Sequence, residues 1–129
     1  MNQNFTIVLA RICPFAERAW ITAHEKECNF EVREVSLKQK EPFFTETYHK
    51  AYGHDPKSDG KVPILVDGDN VYCESDLISW YIAEKFPTGT KVIPEDLGER
   101  LKMRMFIGNF TKIIPSFYAF KGWKDKSEE

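Results

Sequence analysis

Residues 5–18 read FTIVLARICPFAER, and this stretch decides the fold of the first half of the chain. Phe5 to Ala10 is a short apolar run without helical spacing, which is typical of a buried strand. Pro14 stands where proline opens a helix, because the first helical N–H has no partner within the helix. The stretch therefore predicts a strand, a turn and a helix that begins immediately after Cys13.

The segments that follow predict a βαβ unit. Residues 14–27 carry an apolar helical face, and residues 30–37 alternate between apolar and charged side chains, as a half-exposed strand does. A helix-length crossover separates the two strands, so we expect them to pair in parallel. The predicted buried face of the helix consists of Phe15, Ala19, Trp20, Ala23 and His24.

Residues 40–86 predict a helix, an antiparallel hairpin and a further helix. The first of these helices is indicated by aromatic residues at near-helical spacing, and a polar loop follows it. Residues 62–66 and 70–73 flank Asp67-Gly68-Asp69, in which the Asp-Gly pair is a strong hairpin signal. Ser75 is placed to cap the next helix, which runs to about Phe86. The expected buried residues of that helix are Leu77, Ile78, Tyr81 and Ile82.

The composition is typical of a globular protein. The chain has 129 residues, of which 42% are hydrophobic and 29% charged, and its formal net charge is −2. The basic residues are scattered, so no nucleic acid partner is expected. No apolar stretch approaches the roughly 20 residues of a membrane span, and the N-terminus lacks a signal segment. We therefore expect a cytoplasmic protein, and the spacing of its histidines and cysteines predicts no metal site.

The end of the chain predicts a second domain. Pro87, Gly89 and Pro94 mark a boundary, so we assign residues 1–86 to the first domain, 87–95 to a linker and 96–129 to the incomplete beginning of a second. The last helix has more apolar surface than a lone helix can cover. We expect a fragment of a longer two-domain protein, and burial by another subunit is the alternative. The apolar residues are Leu101, Met105, Phe106, Phe110, Ile113, Ile114 and Phe117.

Four short motifs stand at the ends of the predicted strands. They are Cys13-Pro14-Phe15-Ala16-Glu17-Arg18, Leu37-Lys38-Gln39-Lys40, Val62-Pro63 and Glu74-Ser75. In order and role they resemble the omega class of glutathione transferases, with the related dehydroascorbate reductases and chloride intracellular channel proteins. The resemblance extends into residues 113–117 and implies an α/β fold, in which a thioredoxin-like βαβ-α-ββα domain precedes the start of an all-helical domain. Compared with a typical omega member, the chain is longer between Lys40 and Val62, with residues 52–61 as the insertion.

Cys13 is the predicted catalytic residue. The thiolate is the nucleophilic form of cysteine, and at a helix N-cap the N–H groups of Phe15 and Ala16 and the positive end of the helix would stabilise it. Ala16 replaces the second cysteine of a Cys-x-x-Cys pair, so a monothiol mechanism is predicted. In it, Cys13 attacks an oxidised substrate or mixed disulfide, and glutathione, the co-substrate, then leaves as glutathione disulfide. The alternative is a buried structural cysteine.

The resemblance also implies how glutathione is bound. A cis bond between Val62 and Pro63 would leave the Val62 backbone to pair with the cysteinyl unit, whereas the alternative is a proline that starts an edge strand. Glu74 and Ser75 would hold the ammonium and carboxylate of the γ-glutamyl end, and ordinary capping is the alternative. Lys40 is the candidate for the glycyl carboxylate, unless it is a solvated surface lysine. In family members the residue that corresponds to Phe15 borders the site.

The resulting hypothesis is a glutathione transferase that acts as a thiol transferase or dehydroascorbate reductase, with a role in detoxification. One alternative is a non-catalytic glutathione-binding or interaction protein of transferase fold. Another is a glutathione-conjugating transferase, which Cys13 disfavours because a cysteine forms a mixed disulfide with glutathione. The expected partners are glutathione, a small electrophilic or oxidised substrate and, in a homodimer, a second copy of the chain. We interpret Cys28 and Cys73 as packing residues.

Overall fold

The computed structural model describes residues 4–53 and 57–126, with side chains up to residue 120. Its elements follow the predicted order βαβ, α, ββα, and one long helix comes last. They are β1 (Phe5–Leu9), α1 (Pro14–Glu25), β2 (Phe30–Glu34), α2 (Pro42–Tyr52), β3 (Ile64–Asp67), β4 (Asn70–Cys73), α3 (Ser75–Lys85) and α4 (Leu97–Lys126). The chain divides into two compact units, Met1–Ile93 and Pro94–Glu129.

The strands of the first unit form a sheet in the order β2-β1-β3-β4. β1 and β2 pair in parallel, with Phe5 opposite Phe30, which confirms the prediction from the helical crossover. β3 pairs antiparallel with β1 and with β4, so the predicted hairpin is also confirmed. Gly68 has a φ of +60° at the first of the two loop residues, where a type II′ hairpin turn requires glycine.

Helix α1 contacts β1 and α3 through a narrow stripe of small side chains. Its buried residues are Ala16, Ala19 and Ala23, whose short side chains let the helix approach its neighbours closely. The predicted burial of Trp20 and His24 is wrong, because both are exposed. Each of these two residues directly follows an alanine of the stripe. Successive residues of a helix are rotated by about 100° around its axis, so both side chains point away from the contact.

Helices α2 and α3 each bury two large apolar residues one helical turn apart. In α2 these are Phe44 and Tyr48, and α2 contacts β4. In α3 the buried hydrophobic residues are Ile78 and Ile82, which are fully enclosed. Leu77 is 54% exposed, so its predicted burial is wrong for the same reason of helical rotation.

Strand β2 is an edge of the sheet and is shorter than predicted. It ends at Glu34, although Val35 still donates its N–H to the Leu9 carbonyl at 2.9 Å. Four of its five residues are exposed, rather than every second one. An edge strand has a neighbour on one side only, so the apolar Val32 also remains 40% exposed.

The segment that follows α3 is bonded to the end of α1. Thr90 donates its N–H to the Glu25 carbonyl at 2.7 Å, and the Thr88 hydroxyl donates to the Lys26 carbonyl at 2.7 Å. Lys26 is 4% exposed and donates its ammonium to the Thr90 carbonyl at 3.2 Å. Between them Gly89 has a φ of +65°, and a Cβ there would lie 2.3 Å from the Glu25 carbonyl oxygen. Residues 88–90, which fall within the predicted linker, thus cap the C-terminus of α1.

The second unit is helix α4. Asp96 caps its start by accepting the N–H of Glu99 at 2.9 Å, and Pro115 lies inside the helix. Most of its large apolar side chains are exposed, as the sequence pattern indicates for a helix that needs a covering surface, whereas Ile114 is only 5% exposed. Within the described residues, none of the helices has both the length and the hydropathy to cross a membrane.

Candidate functional site

Cys13 lies at the N-cap of α1, as predicted. Its backbone is extended, with φ −92° and ψ 114°, and its carbonyl accepts the first helical hydrogen bond from Glu17 at 3.2 Å. The turn before it is closed by the Cys13 N–H, which donates to the Ala10 carbonyl at 2.9 Å. The residue is 7% exposed, so it is almost fully enclosed between strand and helix.

The sulfur of Cys13 faces the start of β3. The expected capping hydrogen bonds from Phe15 and Ala16 to this sulfur are not formed. Instead the thiol donates to the Val62 carbonyl, with a sulfur–oxygen distance of 4.0 Å. The sulfur is therefore directed at the backbone of Val62.

The Val62–Pro63 peptide bond is cis. β3 begins one residue later, at Ile64, which is opposite Val8. The Val62 backbone therefore stands outside the strand register, beside the sulfur of Cys13.

Glu74 and Ser75 form the junction between β4 and α3. Glu74 is the N-cap, with a φ of +73° that is unusual for a residue with a side chain, and Ser75 is the first helical residue. The prediction that Ser75 is the cap is therefore wrong by one position. Ser75 is 6% exposed, and its hydroxyl oxygen accepts from Arg18 Nη1 at 3.4 Å. The carboxylate of Glu74 is exposed, and its charge and its hydrogen bond to Tyr52 raise the pKa of that phenol.

A cavity of about 340 Å³ brings these motifs together. Five of its lining residues are predicted glutathione-binding residues, namely Phe15, Val62, Pro63, Glu74 and Ser75. Three others were not predicted as site residues, namely Tyr48, Lys61 and Cys73. Lys61 and Cys73 directly precede predicted site residues, so their positions in the sequence could have indicated them. Tyr48 belongs to α2, and only the fold of the chain places it in this cavity.

Lys40 is not among the residues that line this cavity. Its ammonium lies 2.5 Å from Asp59 Oδ1 and 2.9 Å from the Gly60 carbonyl oxygen. The Lys40 hydrogen bond is the main reason that the pKa of the Asp59 carboxyl lies below its usual value. The predicted carboxylate-binding lysine thus has a carboxylate of the same chain as its partner.

Cys13 lines a second, smaller cavity of about 120 Å³. Its lining also includes the side chains of Arg11, Glu17, Trp20 and Val32. Cys13 is not among the residues that line the larger cavity, and its 7% exposure limits how much of the residue a reactant can touch without a local rearrangement.

The thiols of the other two cysteines have raised pKa values. Burial, with the charge of Glu74 as a smaller contribution, raises the pKa of Cys73 to about 11, although Cys73 lines the larger cavity. Burial also raises the pKa of Cys28, and the nearby Lys26 opposes this shift. A thiol with a raised pKa is a poor nucleophile at neutral pH, so neither residue is a candidate nucleophile. Among the described residues, no His, Cys, Asp and Glu side chains cluster in a way that could hold a metal ion.

Known proteins resemble this chain in sequence and in structure. A probable glutathione transferase omega-2 from Caenorhabditis briggsae is 29% identical over 117 residues, which are 89% of this chain and 42% of that protein. A probable cytosolic glutathione S-transferase DHAR1 from Oryza sativa subsp. japonica is 28% identical over 117 residues, covering 90% of this chain and 46% of its own length. The solved tau-class glutathione S-transferase from mango, Mangifera indica, has a TM-score of 0.75 and 26% identity, and the match covers 90% of this chain and 50% of that one.

These matches agree with one family model. The chain spans about half the length of the relatives it matches. The model described as glutathione S-transferase, N-terminal domain, matches residues 8–91, which confirms the resemblance and the thioredoxin-like fold. The chain therefore belongs to the glutathione S-transferase family, and its first unit carries that family's N-terminal domain.

Proposed function

We propose that this chain is the glutathione-binding part of a thiol transferase or dehydroascorbate reductase in which Cys13 is the nucleophile. The observation that carries the proposal is that motifs far apart in sequence meet around one cavity. Val62 lines this cavity, and its carbonyl oxygen lies 4.0 Å from the sulfur of Cys13. A peptide that pairs with the Val62 backbone would therefore carry its own thiol to Cys13.

The polar groups around the cavity match the two ends of glutathione. The exposed carboxylate of Glu74 suits the ammonium of the γ-glutamyl unit. The first N–H groups of α3, at Ser75 and Asp76, have no acceptor within the helix and suit the adjacent carboxylate. Phe15 lines the cavity and would border the bound peptide, and Lys40, which lies outside the lining, would reach the glycyl carboxylate.

The proposed reaction has two exchange steps. The Cys13 thiolate attacks the glutathione sulfur of a mixed disulfide, so that a protein–glutathione disulfide forms and the substrate thiolate leaves. A second glutathione thiolate attacks the sulfur of the bound glutathione, which releases glutathione disulfide and restores the Cys13 thiolate. The substrate thiolate takes up one proton, and the second glutathione gives one up. With dehydroascorbate, the same cysteine would pass two electrons from two glutathione molecules to the substrate.

The burial of Cys13 favours a second candidate, a protein that binds glutathione without turnover. A sulfur that is 7% exposed and donates to a backbone carbonyl must rearrange before it can attack. In that case the cavity would bind glutathione, and Cys13 would stay reduced.

Incubation with glutathione disulfide distinguishes the two candidates. The reductase predicts one glutathionyl adduct in the intact mass, which peptide mapping assigns to Cys13. The Cys13→Ser variant should lose the adduct and the reduction of mixed disulfides, whereas Cys28→Ser, outside the cavity, should keep both. Binding of glutathione with an unmodified Cys13 would reject the reductase and support the second candidate.

A further inference from the structure

The segment between α2 and β3 leads into the lining of the larger cavity. Residues 57–61 end the stretch that the resemblance indicates as an insertion. Within it the Asp59 carboxylate contacts the ammonium of Lys40 at 2.5 Å, and the neighbouring Gly60 carbonyl accepts from the same ammonium at 2.9 Å. Lys40 therefore holds two acceptors from this segment.

Helix α2 fixes the backbone of this segment. The Thr45 hydroxyl donates to the Asp59 carbonyl at 2.6 Å, and His49 Nε2 lies 2.9 Å from the Ser58 carbonyl oxygen. Gly60 has a φ of +133°, and a Cβ there would lie 2.9 Å from the ring of Phe44. A residue with a side chain would not fit at position 60, so the close approach of the segment to α2 is built into the sequence.

The Lys40–Asp59 pair is connected to the cavity lining through the backbone of Gly60. The carbonyl that Lys40 contacts belongs to Gly60, and the next two residues, Lys61 and Val62, both line the cavity. Consecutive Cα atoms are about 3.8 Å apart, so the ammonium of Lys40 lies within one or two residues of the cavity wall.

We propose that Asp59 is a specificity-determining residue, an internal carboxylate that occupies Lys40 and competes with the terminal carboxylate of glutathione for it. This inference rests on the proposed binding of glutathione in the cavity. Lys40 is then a cation that the ligand can use only after it displaces Asp59. The protein should therefore distinguish poorly between a ligand with a free glycyl carboxylate and one in which that group is esterified.

The exposure of the two side chains makes such an exchange feasible. The side chain of Asp59 is 69% exposed, whereas that of Lys40 is 21% exposed. Asp59 can therefore turn into water at little cost, while Lys40 remains against the protein. Because the pKa of the Asp59 carboxyl is lowered, chiefly by the hydrogen bond from Lys40, the internal competitor is charged at neutral pH.

The test compares two probes that cannot form disulfides. They are S-methylglutathione and its glycyl ethyl ester, and calorimetry on the full chain at low salt gives the dissociation constant of each. Asp59→Asn removes the charge but keeps the shape, and the Thr45 hydrogen bond to its main chain is unaffected. Asp69→Asn, at the exposed turn between β3 and β4, makes the same charge change elsewhere.

The decisive quantity is the ratio of ester to acid dissociation constants. Asp59→Asn should raise it about 1.4-fold to fivefold, the range of an exposed ion pair, by tightening the acid alone. Asp69→Asn should leave it unchanged, and adding Lys40→Met to Asp59→Asn should abolish the gain. Should Asp59→Asn fail to fold, judged by circular dichroism, Asp59→Ser replaces it.

Two results would overturn the inference while the proposed function stands. One is an unchanged ratio in folded Asp59→Asn, and the other is a gain that survives the loss of Lys40. If neither probe binds the wild type or any variant, the proposed glutathione site itself is wrong.

Discussion

Gly89→Ala tests whether the 88–90 segment stabilises the first unit. Gly89 combines a left-handed φ of +65° with backbone atoms of Glu25 and Lys26 that lie within 2.7 Å of the position a Cβ would take. Alanine costs about 1–2 kcal/mol in this conformation even in open space. The close atoms are main chain, so the segment must move away from α1 to admit the methyl group.

The magnitude follows from the bonds that such a movement breaks. The Thr90 N–H to Glu25 and the Thr88 hydroxyl to Lys26 are both 2.7 Å bonds, and each contributes about 1 kcal/mol. Lys26 is 4% exposed and would also lose the Thr90 carbonyl as an acceptor. We expect Gly89→Ala to lower the free energy of unfolding by about 3–5 kcal/mol.

Gly68→Ala provides the matched control. Gly68 has a similar φ of +60°, but a Cβ there meets no atom within 4 Å, so only the conformational cost of about 1–2 kcal/mol applies. Urea unfolding followed by circular dichroism measures both variants. Equal losses of stability would refute the reasoning, because the bonds to α1 would then contribute nothing.

Two further substitutions test a buried ion pair and a strained junction. Asp67 is 5% exposed and accepts from Lys85 and from Tyr81, so Asp67→Asn should cost about 2 kcal/mol in urea unfolding at pH 7. Burial would raise the pKa of the Asp67 carboxyl, but these two hydrogen bonds outweigh burial and lower that pKa. The wild-type advantage in stability should therefore persist above the ordinary pKa of 3.8 and vanish as the pH falls below 3.8. An advantage that does not decline as the pH falls below 3.8 would contradict this. Because Glu74 has a φ of +73°, Glu74→Gly should be about 1 kcal/mol more stable than Glu74→Ala, while both weaken binding of S-methylglutathione; equal stabilities would argue against strain at this position.

Local patterns predicted the elements that depend on few residues. Pro14 marks the start of α1, and Asp67-Gly68 marks the hairpin, because each restricts the backbone by its own chemistry. The parallel pairing of β1 and β2 follows from the length of the crossover alone. These features need no knowledge of distant residues.

The errors concern properties that distant residues set. Trp20 and Leu77 have the hydrophobicity of core residues, but alanines and isoleucines beside them occupy the contact with the rest of the unit. The cap of α3 shifts to Glu74 because the chain leaves β4 with a positive φ, which sequence patterns favour for glycine or asparagine.

The candidate site shows the same division. The motifs identified five residues that line one cavity, but not Tyr48, which α2 contributes from outside them. The engagement of Lys40 by Asp59 depends on how residues 57–60 fold back onto α2, and spacing along the chain carries no information on that.

The exposed edge strand β2 also affects how copies of the protein behave together. An edge has unpaired backbone groups onto which a strand of another molecule can add, as happens in aggregation. Glu31, Arg33 and Glu34 place charges along this edge, and an incoming strand would have to desolvate them. The opposite edge, β4, has only four residues and offers little length for such addition. The charges of β2 and the short length of β4 thus both oppose the addition of strands from other molecules to the sheet.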